Sequence, residues 1–362
     1  MEIQAAVLHN HGEKFNIETV TLDEPKADEV LVKIIASGIC LTDIHIQHQE
    51  YYFPLPAVLG HEGAGIVEKV GEGVSGVKPG DHVVLGYAYC GECQPCLNNT
   101  PYKCDIYDEL NFGGRMIDGT TRLHHHNDDL SVLFGQSSFA AYAVVNINNI
   151  VKVDDDLDLK YLGPLGCGIQ TGSGTIFNYF KAQAGSSIAV FGAGAVGLSA
   201  VMAAKAANCG IIIAVDIHDN RLELARELGA THVLNSRKVD VEAEIKRITN
   251  GGVDYALEAS GHGAVGRQAV NSLKYGGSLA YVSSPPSTYG LDPSHVRSLS
   301  IRGIVEGDSV QQVLIPQLIK LYKEGKFPFH KLIRFYQLHE INQAIADSQE
   351  GTVIKSVIIM PT

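Results

Sequence analysis

The sequence predicts an α/β protein built from two domains, a β-barrel-like domain and a helix-covered parallel sheet. Three observations carry this. Up to Leu85 the chain is short β-rich runs between Pro and Gly turns, and from Ser187 apolar runs alternate with helical stretches. At 362 residues it also exceeds what one ordinary core serves.

In order, Ile3–Leu8, Glu29–Ser37, Gly65–Val70 and Asp81–Leu85 read as strands, parted by Pro25, Gly71-Glu72-Gly73 and Lys78-Pro79-Gly80. From Cys90 to about Leu133 the pattern gives way to Gly, Cys, Asn and Asp, the texture of a long surface excursion. Within it, His124-His125-His126 reads as a solvated tract rather than a metal site. Order returns over Ser138–Val145. Ser187–Phe191, Ile211–Val215, Val233-Leu234, Val253–Glu258 and Ser278–Val282 then read as strands. Val196–Asn208, Arg221–Leu228, Val239–Ile248 and Gly263–Leu273 read as helices between them. That alternation implies βαβ units and a sheet covered on both faces. A helix over Val310–Lys323 and a strand over Val353–Met360 close the chain.

Hydrophobic residues make up 45% and charged residues 19%, a soluble globular balance. The net charge of −12, from 28 basic and 40 acidic residues, argues against nucleic acid and anionic membranes and favours small-molecule partners. The N-terminus lacks a basic region followed by an apolar core, and no run is long enough to span a bilayer. A cytoplasmic protein is expected, with its seven cysteines reduced.

Four of these, Cys90, Cys93, Cys96 and Cys104, form C-x2-C-x2-C-x7-C in one loop. Thiolates so spaced can close tetrahedrally on one Zn²⁺, leaving no open position, so the site reads as structural. Disulfides and an iron–sulfur cluster are the alternatives. Zinc is favoured because the loop otherwise lacks a core.

His61-Glu62 lies in the glycine-rich bend Leu59–Gly65. Cys40 follows a strand, and Cys167 sits in the turn Leu162–Thr171. Together Cys40, His61 and Cys167 offer two thiolates and one imidazole with one vacant position, the coordination of a catalytic zinc in an alcohol-oxidising enzyme. Cys209 reads as core.

Gly192-Ala193-Gly194-Ala195-Val196-Gly197 is G-x-G-x-x-G between a strand and a helix. Its glycines suit the tight turn, the approach of a pyrophosphate and close helix packing. Asp216 ends the next strand about 20 residues on, where a carboxylate binds ribose hydroxyls and repels a 2′-phosphate. NAD is therefore favoured over NADP.

With these motifs in place, the chain resembles the zinc-dependent medium-chain alcohol dehydrogenase family over nearly its whole length. The resemblance rests on Gly60–Gly65 with Gly71 and Val74, the four-cysteine lobe and the nucleotide loop, in that order. Phe134–Phe139, Leu162–Gly174, Arg302–Gly307 and Gly325–Phe329 look closest to aryl-alcohol (benzyl alcohol) dehydrogenases, with geraniol-type allylic enzymes sharing much of the pattern. The resemblance implies a GroES-like catalytic domain over residues 1–168, with a zinc lobe at about 88–106. It implies a Rossmann NAD-binding domain over 169–300 and a return to the catalytic domain over 301–362. It implies two Zn²⁺ per subunit and a homo-oligomer, dimer or tetramer.

It also implies residue roles. Glu62 lies near the catalytic zinc, Asp43 braces His61, and Thr42 and His45 relay a proton. Thr171 sits against the nicotinamide, Arg221 near the ribose and Lys355 against the pyrophosphate. Leu41 stands where some members have a basic residue, and Gly86 where a pocket aromatic often stands. Tyr51, Tyr87 and Phe134 are the candidates to shape the pocket. The implied activity is reversible NAD-dependent oxidation of primary aromatic alcohols. An allylic terpene alcohol dehydrogenase is the first alternative. A formaldehyde or polyol dehydrogenase and a non-catalytic zinc- and NAD-binding redox sensor are more distant ones.

Overall fold

The structure, a computed structural model, describes residues 1–283 and 296–361. The chain divides into two compact units. One comprises Met1–Cys167, Val310–Pro316 and Leu332–Thr362, and the other Gly168–Ser309 and Gln317–Lys331.

In the first unit the chain runs through β1 (Glu2–Leu8), β2 (Asn16–Leu22), β3 (Glu29–Gly38), β4 (Ala57–Val58) and β5 (Gly63–Val70). It continues with β6 (His82–Leu85), β7 (Leu123–His125), β8 (Asp128–Val132), β9 (Tyr142–Asn146) and β10 (Ile150–Val153). Strands β1, β2, β7, β8 and β4 close a barrel in that order. A second sheet runs β10, β6, β5, β3 and then the C-terminal strands Lys355–Ile359 and Ile333–Gln337. β3 holds it together, pairing with β5, β9 and Lys355–Ile359. Its sequence, Glu-Val-Leu-Val-Lys-Ile-Ile-Ala-Ser-Gly, is mostly buried, as a strand covered on both faces requires.

The second unit is one parallel sheet in the order β13 (His232–Asn235), β12 (Ile211–Asp216), β11 (Ser187–Phe191), β14 (Val253–Glu258), β15 (Leu273–Tyr281), β16 (Ser300–Gly303). β11 is buried throughout and sits mid-sheet, with the order reversing around it. Ligands of open α/β sheets bind at such a reversal. β16 keeps the chain in this sheet past residue 300, and the unit runs on to Ser309.

The stretch from Cys90 to Leu133 was expected to lack regular structure, yet it holds β7 and β8, which complete the barrel. These strands escape a periodicity reading because they are three and five residues long, β7 ending in two half-buried histidines and β8 beginning with two exposed aspartates. β2 is missed for a related reason, since four of its seven residues face solvent. β15 begins at Leu273 rather than Ser278, because Gly276 and Gly277 lie inside a strand whose register shifts against β14. In sequence they mimic a turn.

Candidate metal centre and nucleotide loop

The zinc-type donor set assembles within the first unit. One ligand atom each from Cys40, His61 and Cys167 lie within 4.8 Å of one another. Cys40 caps the short helix Leu41–Gln47 just after β3, and Cys167 ends the turn Gly163–Gly166. His61 stands between Gly60 and β5 and is fully buried. Gly60 has φ +90°, and a Cβ there would lie 2.6 Å from Phe139, so the bend that presents His61 needs glycine.

Asp43 positions the imidazole. Its Oδ1 accepts from His61 Nδ1 at 3.1 Å and from Gly60 N at 3.1 Å, and its Oδ2 accepts from Cys40 N at 2.9 Å. One carboxylate thus orients two of the three ligands. With Nδ1 spent on Asp43, Nε2 is the free coordinating atom, and it is buried with no hydrogen-bond partner. An orphaned buried nitrogen of this kind costs about 1–3 kcal/mol. A metal ion removes that cost, so the residues fit zinc.

The electrostatics agree. The Cys40 thiol is held well below its usual range, by the Cys167 hydrogen bond first and against the opposing effect of burial, with His61 and Lys355 adding to it. Burial alone would lower His61, but Asp43 and Cys40 raise it well above the usual imidazole value. Burial pushes Glu62 up, with Lys355 opposing. Two thiols and an imidazole coupled this closely form a donor set whose protons a metal ion displaces on binding.

Lys355 is tied to Glu62. It is buried, and Nζ donates to Glu62 Oε1 at 2.8 Å, Glu62 Oε2 at 3.0 Å and Ile39 O at 3.0 Å. With three acceptors around its ammonium, it balances the charge of Glu62. It is raised despite burial, through Glu62, Cys40 and Cys167.

Thr42 Oγ1 lies 3.7 Å from Cys40 Sγ, and His45 is half-buried, paired through Nδ1 with Glu50 and packed on Tyr51 at 4.9 Å between ring centroids. Leu41 is 58% exposed. Of the pocket candidates, Phe134 stacks on His61 with centroids 4.6 Å apart and planes at 26°. Its φ of +53° is costly for an aromatic residue and is held by hydrogen bonds from Phe134 N to Asn111 O and from Asn149 Nδ2 to Phe134 O. Tyr87 instead packs with Tyr89 and Tyr107.

Two residues escaped the sequence reading. Gln136, 1% exposed, accepts from Gly63 N through Oε1 and donates to His61 O and Gly86 O through Nε2, clamping the His61 bend. Gln311 fills the space beside Gly86, where a Cβ would lie 1.9 Å from Gln311 Oε1. Neither leaves a local signal, because each partner lies 50 or more residues away: 75 for Gln136 to His61 and 224 for Gln311 to Tyr87.

The four lobe cysteines also converge. Sγ separations are 3.4 Å for Cys93–Cys96, 3.6 Å for Cys90–Cys104 and 3.9 Å for Cys90–Cys96 and Cys93–Cys104. A tetrahedron of thiolates at ~2.3 Å from zinc has edges of ~3.8 Å. All seven cysteines are free thiols. The backbone N–H groups of Asp105 and Cys96, with the Cys96 and Cys90 side chains, lower Cys93 to about 7, while burial raises Cys96 and Cys104.

In the second unit, Gly192 turns with φ +97°. A Cβ on Gly197 would lie 1.8 Å from Gly192 O, whereas one on Gly194 meets nothing within 4 Å. The third glycine therefore packs helix against strand, and the second leaves an open approach. Ala195 and Val196 begin the helix Ala195–Ala206, whose N-terminus has no side-chain cap, as a phosphate-binding end requires. Asp216 Oδ2 accepts from Ala193 N at 2.7 Å and Oδ1 from His218 N at 2.9 Å, which fixes the carboxylate beside the loop. Arg221 lies on the following helix, Asp219–Leu228. Thr171 and Gln170 both donate to Glu306, at 3.5 and 3.0 Å. These residues fit a dinucleotide.

Residues 26–155 match the family described as alcohol dehydrogenase GroES-like domain, and residues 195–324 match zinc-binding dehydrogenase. A geraniol dehydrogenase from Castellaniella defragrans is 41% identical, over 98% of this chain and 97% of its own. A benzyl alcohol dehydrogenase from Acinetobacter calcoaceticus is 46% identical, with TM-score 0.96 and full coverage of both chains. An alcohol dehydrogenase zinc-binding domain protein from Burkholderia ambifaria is 48% identical, with TM-score 0.98 and full coverage of both.

Proposed function

Because this chain belongs to the zinc-binding medium-chain alcohol dehydrogenase family, we propose that it oxidises primary aromatic alcohols reversibly to aldehydes with NAD⁺. The observation that carries the reading is the three-ligand box of Cys40, His61 and Cys167, with His61 Nε2 buried and unpartnered. Three ligands suit a catalytic ion that keeps a position for substrate, and the four lobe cysteines suit a structural one, giving two Zn²⁺ per chain.

Zinc here supplies Lewis acidity, of the kind that lowers the pKa of a bound water from 15.7 to ~7. NAD⁺ supplies the hydride acceptor. The chain's residues do the rest. Asp43 orients His61 and the Cys40 backbone. Thr42 Oγ1 accepts the hydroxyl proton as it gives up its own, and His45, partly exposed and paired with Glu50, passes a proton to solvent. Glu62 stays near the ligands, its charge balanced by Lys355. Asp216 reads the ribose hydroxyls and sets the NAD preference.

The 46% identity to a benzyl alcohol dehydrogenase supports an aromatic substrate, and the 41% identity to a geraniol dehydrogenase supports allylic alcohols as the second reading. The test is NADH formation from benzyl, cinnamyl, geranyl and short aliphatic alcohols with NAD⁺ and NADP⁺. The highest kcat/KM is expected for benzyl or cinnamyl alcohol with NAD⁺. A geraniol optimum transfers the assignment to the allylic class, and no turnover in a zinc-loaded preparation overturns it.

A further inference from the structure

The polar tract His124–His126, on and just past β7, does more than meet solvent. His125 on β7, Glu18 on β2 and His9 just past β1 bring their side chains together on the barrel, with one ligand atom of each within 4.8 Å of the others. His9 Nε2 lies 3.0 and 3.1 Å from the two oxygens of Glu18, and His125 Nε2 lies 3.4 Å from Glu18 Oε2. The two imidazoles lie 5.8 Å apart between centroids, with their planes tilted by 54°. All three side chains are between 23% and 30% exposed, so a bound ion keeps access to water.

We propose that His9, Glu18 and His125 form a third metal site, separate from both cysteine-lined sites and selective for Zn²⁺ or a similar divalent first-row ion. Two imidazoles and one carboxylate suit such ions, and hard cations such as Mg²⁺ prefer oxygen. Ligands at ~2.0–2.1 Å from a tetrahedral ion stand ~3.3 Å apart, close to the two separations from Glu18. An ion binds the lone pair of each Nε2, so a proton on that nitrogen is released to solvent or carried on Nδ1 instead. The neighbours are already committed: His124 contacts Asp23 and Asp129, and His126 packs on His125.

The site has a structural consequence. β7 pairs with β2 through Thr21–His124 and Leu22–Leu123, a short ladder on the side of the β7–β8 hairpin that faces β2, while β8 pairs with β4 on the other. An ion held by His9, Glu18 and His125 would staple the hairpin to β1 and β2.

The test is calorimetric titration of the full chain, without a polyhistidine tag, preloaded with Zn²⁺ and desalted, using Zn²⁺ as titrant. One further ion per chain is expected, with a rise in melting temperature in its presence. His9→Ala and His125→Ala each weaken binding by at least about tenfold and remove the thermal shift, and His11→Ala, at an exposed position outside the cluster, changes neither. If His125→Ala does not fold, His9→Ala, which alters no strand, gives the same reading. Equal affinity in the His9→Ala variant and the parent, or no ion taken up beyond the two cysteine-lined sites, overturns the proposal.

Discussion

Lys355 donates to both carboxylate oxygens of Glu62, at 2.8 and 3.0 Å, where the two side chains are 4% and 0% exposed. Gly38 makes room for the pair, since a Cβ there would lie 1.9 Å from Glu62 Oε2. Such a pair contributes little net stability because desolvation offsets the attraction, but losing one partner strands the other. Lys355→Met is expected to cost about 3–5 kcal/mol in urea unfolding of the zinc-loaded protein, and adding Glu62→Gln recovers most of it. A single variant within about 1 kcal/mol of the parent would show that the pair does not act this way.

Cys40→Ser tests the open donor set. The variant should lose one zinc per chain and at least about a hundredfold in turnover, while binding NADH through the second unit as the parent does. Metal analysis and NADH fluorescence read the two effects separately. Full zinc content with normal turnover excludes Cys40 as a ligand.

Asp216→Gly removes the carboxylate that Ala193 N and His218 N hold beside the loop. The ratio of kcat/KM for NAD⁺ over NADP⁺ should fall by about tenfold or more, equivalent to ~1.4 kcal/mol. An unchanged ratio would mean that another group selects the cofactor.

Cys93→Ser should release the lobe metal. Its local core is small, built on Ala88, Cys104 and Leu110, so the ion supplies much of its stability. Limited proteolysis is expected to cut the variant between residues 88 and 106 under conditions that leave the parent intact. Equal resistance in both would argue against structural zinc.

Asp118 gives a pH test. Burial would raise its pKa, but Lys26, Thr120 and Arg122 outweigh it and hold the carboxyl well below the usual range. A depressed folded pKa adds stability above the unfolded value of ~3.9 and loses it as pH falls toward the folded one. The stability gap between parent and Asp118→Asn is therefore full near pH 6 and narrows below ~4. Urea midpoints at several pH values check this, and a gap that widens on acidification contradicts it.

The metal and nucleotide motifs were legible because their chemistry is local. Four cysteines within 15 positions, or three glycines in six, carry their geometry in their spacing. Buried strands were legible too: β11, buried throughout, matches its expected bounds, Ser187–Phe191. β2, β7 and β8 were not, since strands that are short or mostly solvent-facing leave no clear apolar period.

By itself, then, the sequence determined the two-domain α/β class, the four-cysteine cluster, the dinucleotide loop and the family. Each is written in residues close enough along the chain to constrain one another. The tertiary structure decided what lies opposite what. It placed Lys355 on Glu62 across 293 residues, Gln136 under His61 across 75, Phe134 over the His61 ring, and His125 beside Glu18 and His9. Burial gives such contacts their weight, since a charge or a ring nitrogen shut off from water must find a partner wherever the fold supplies one.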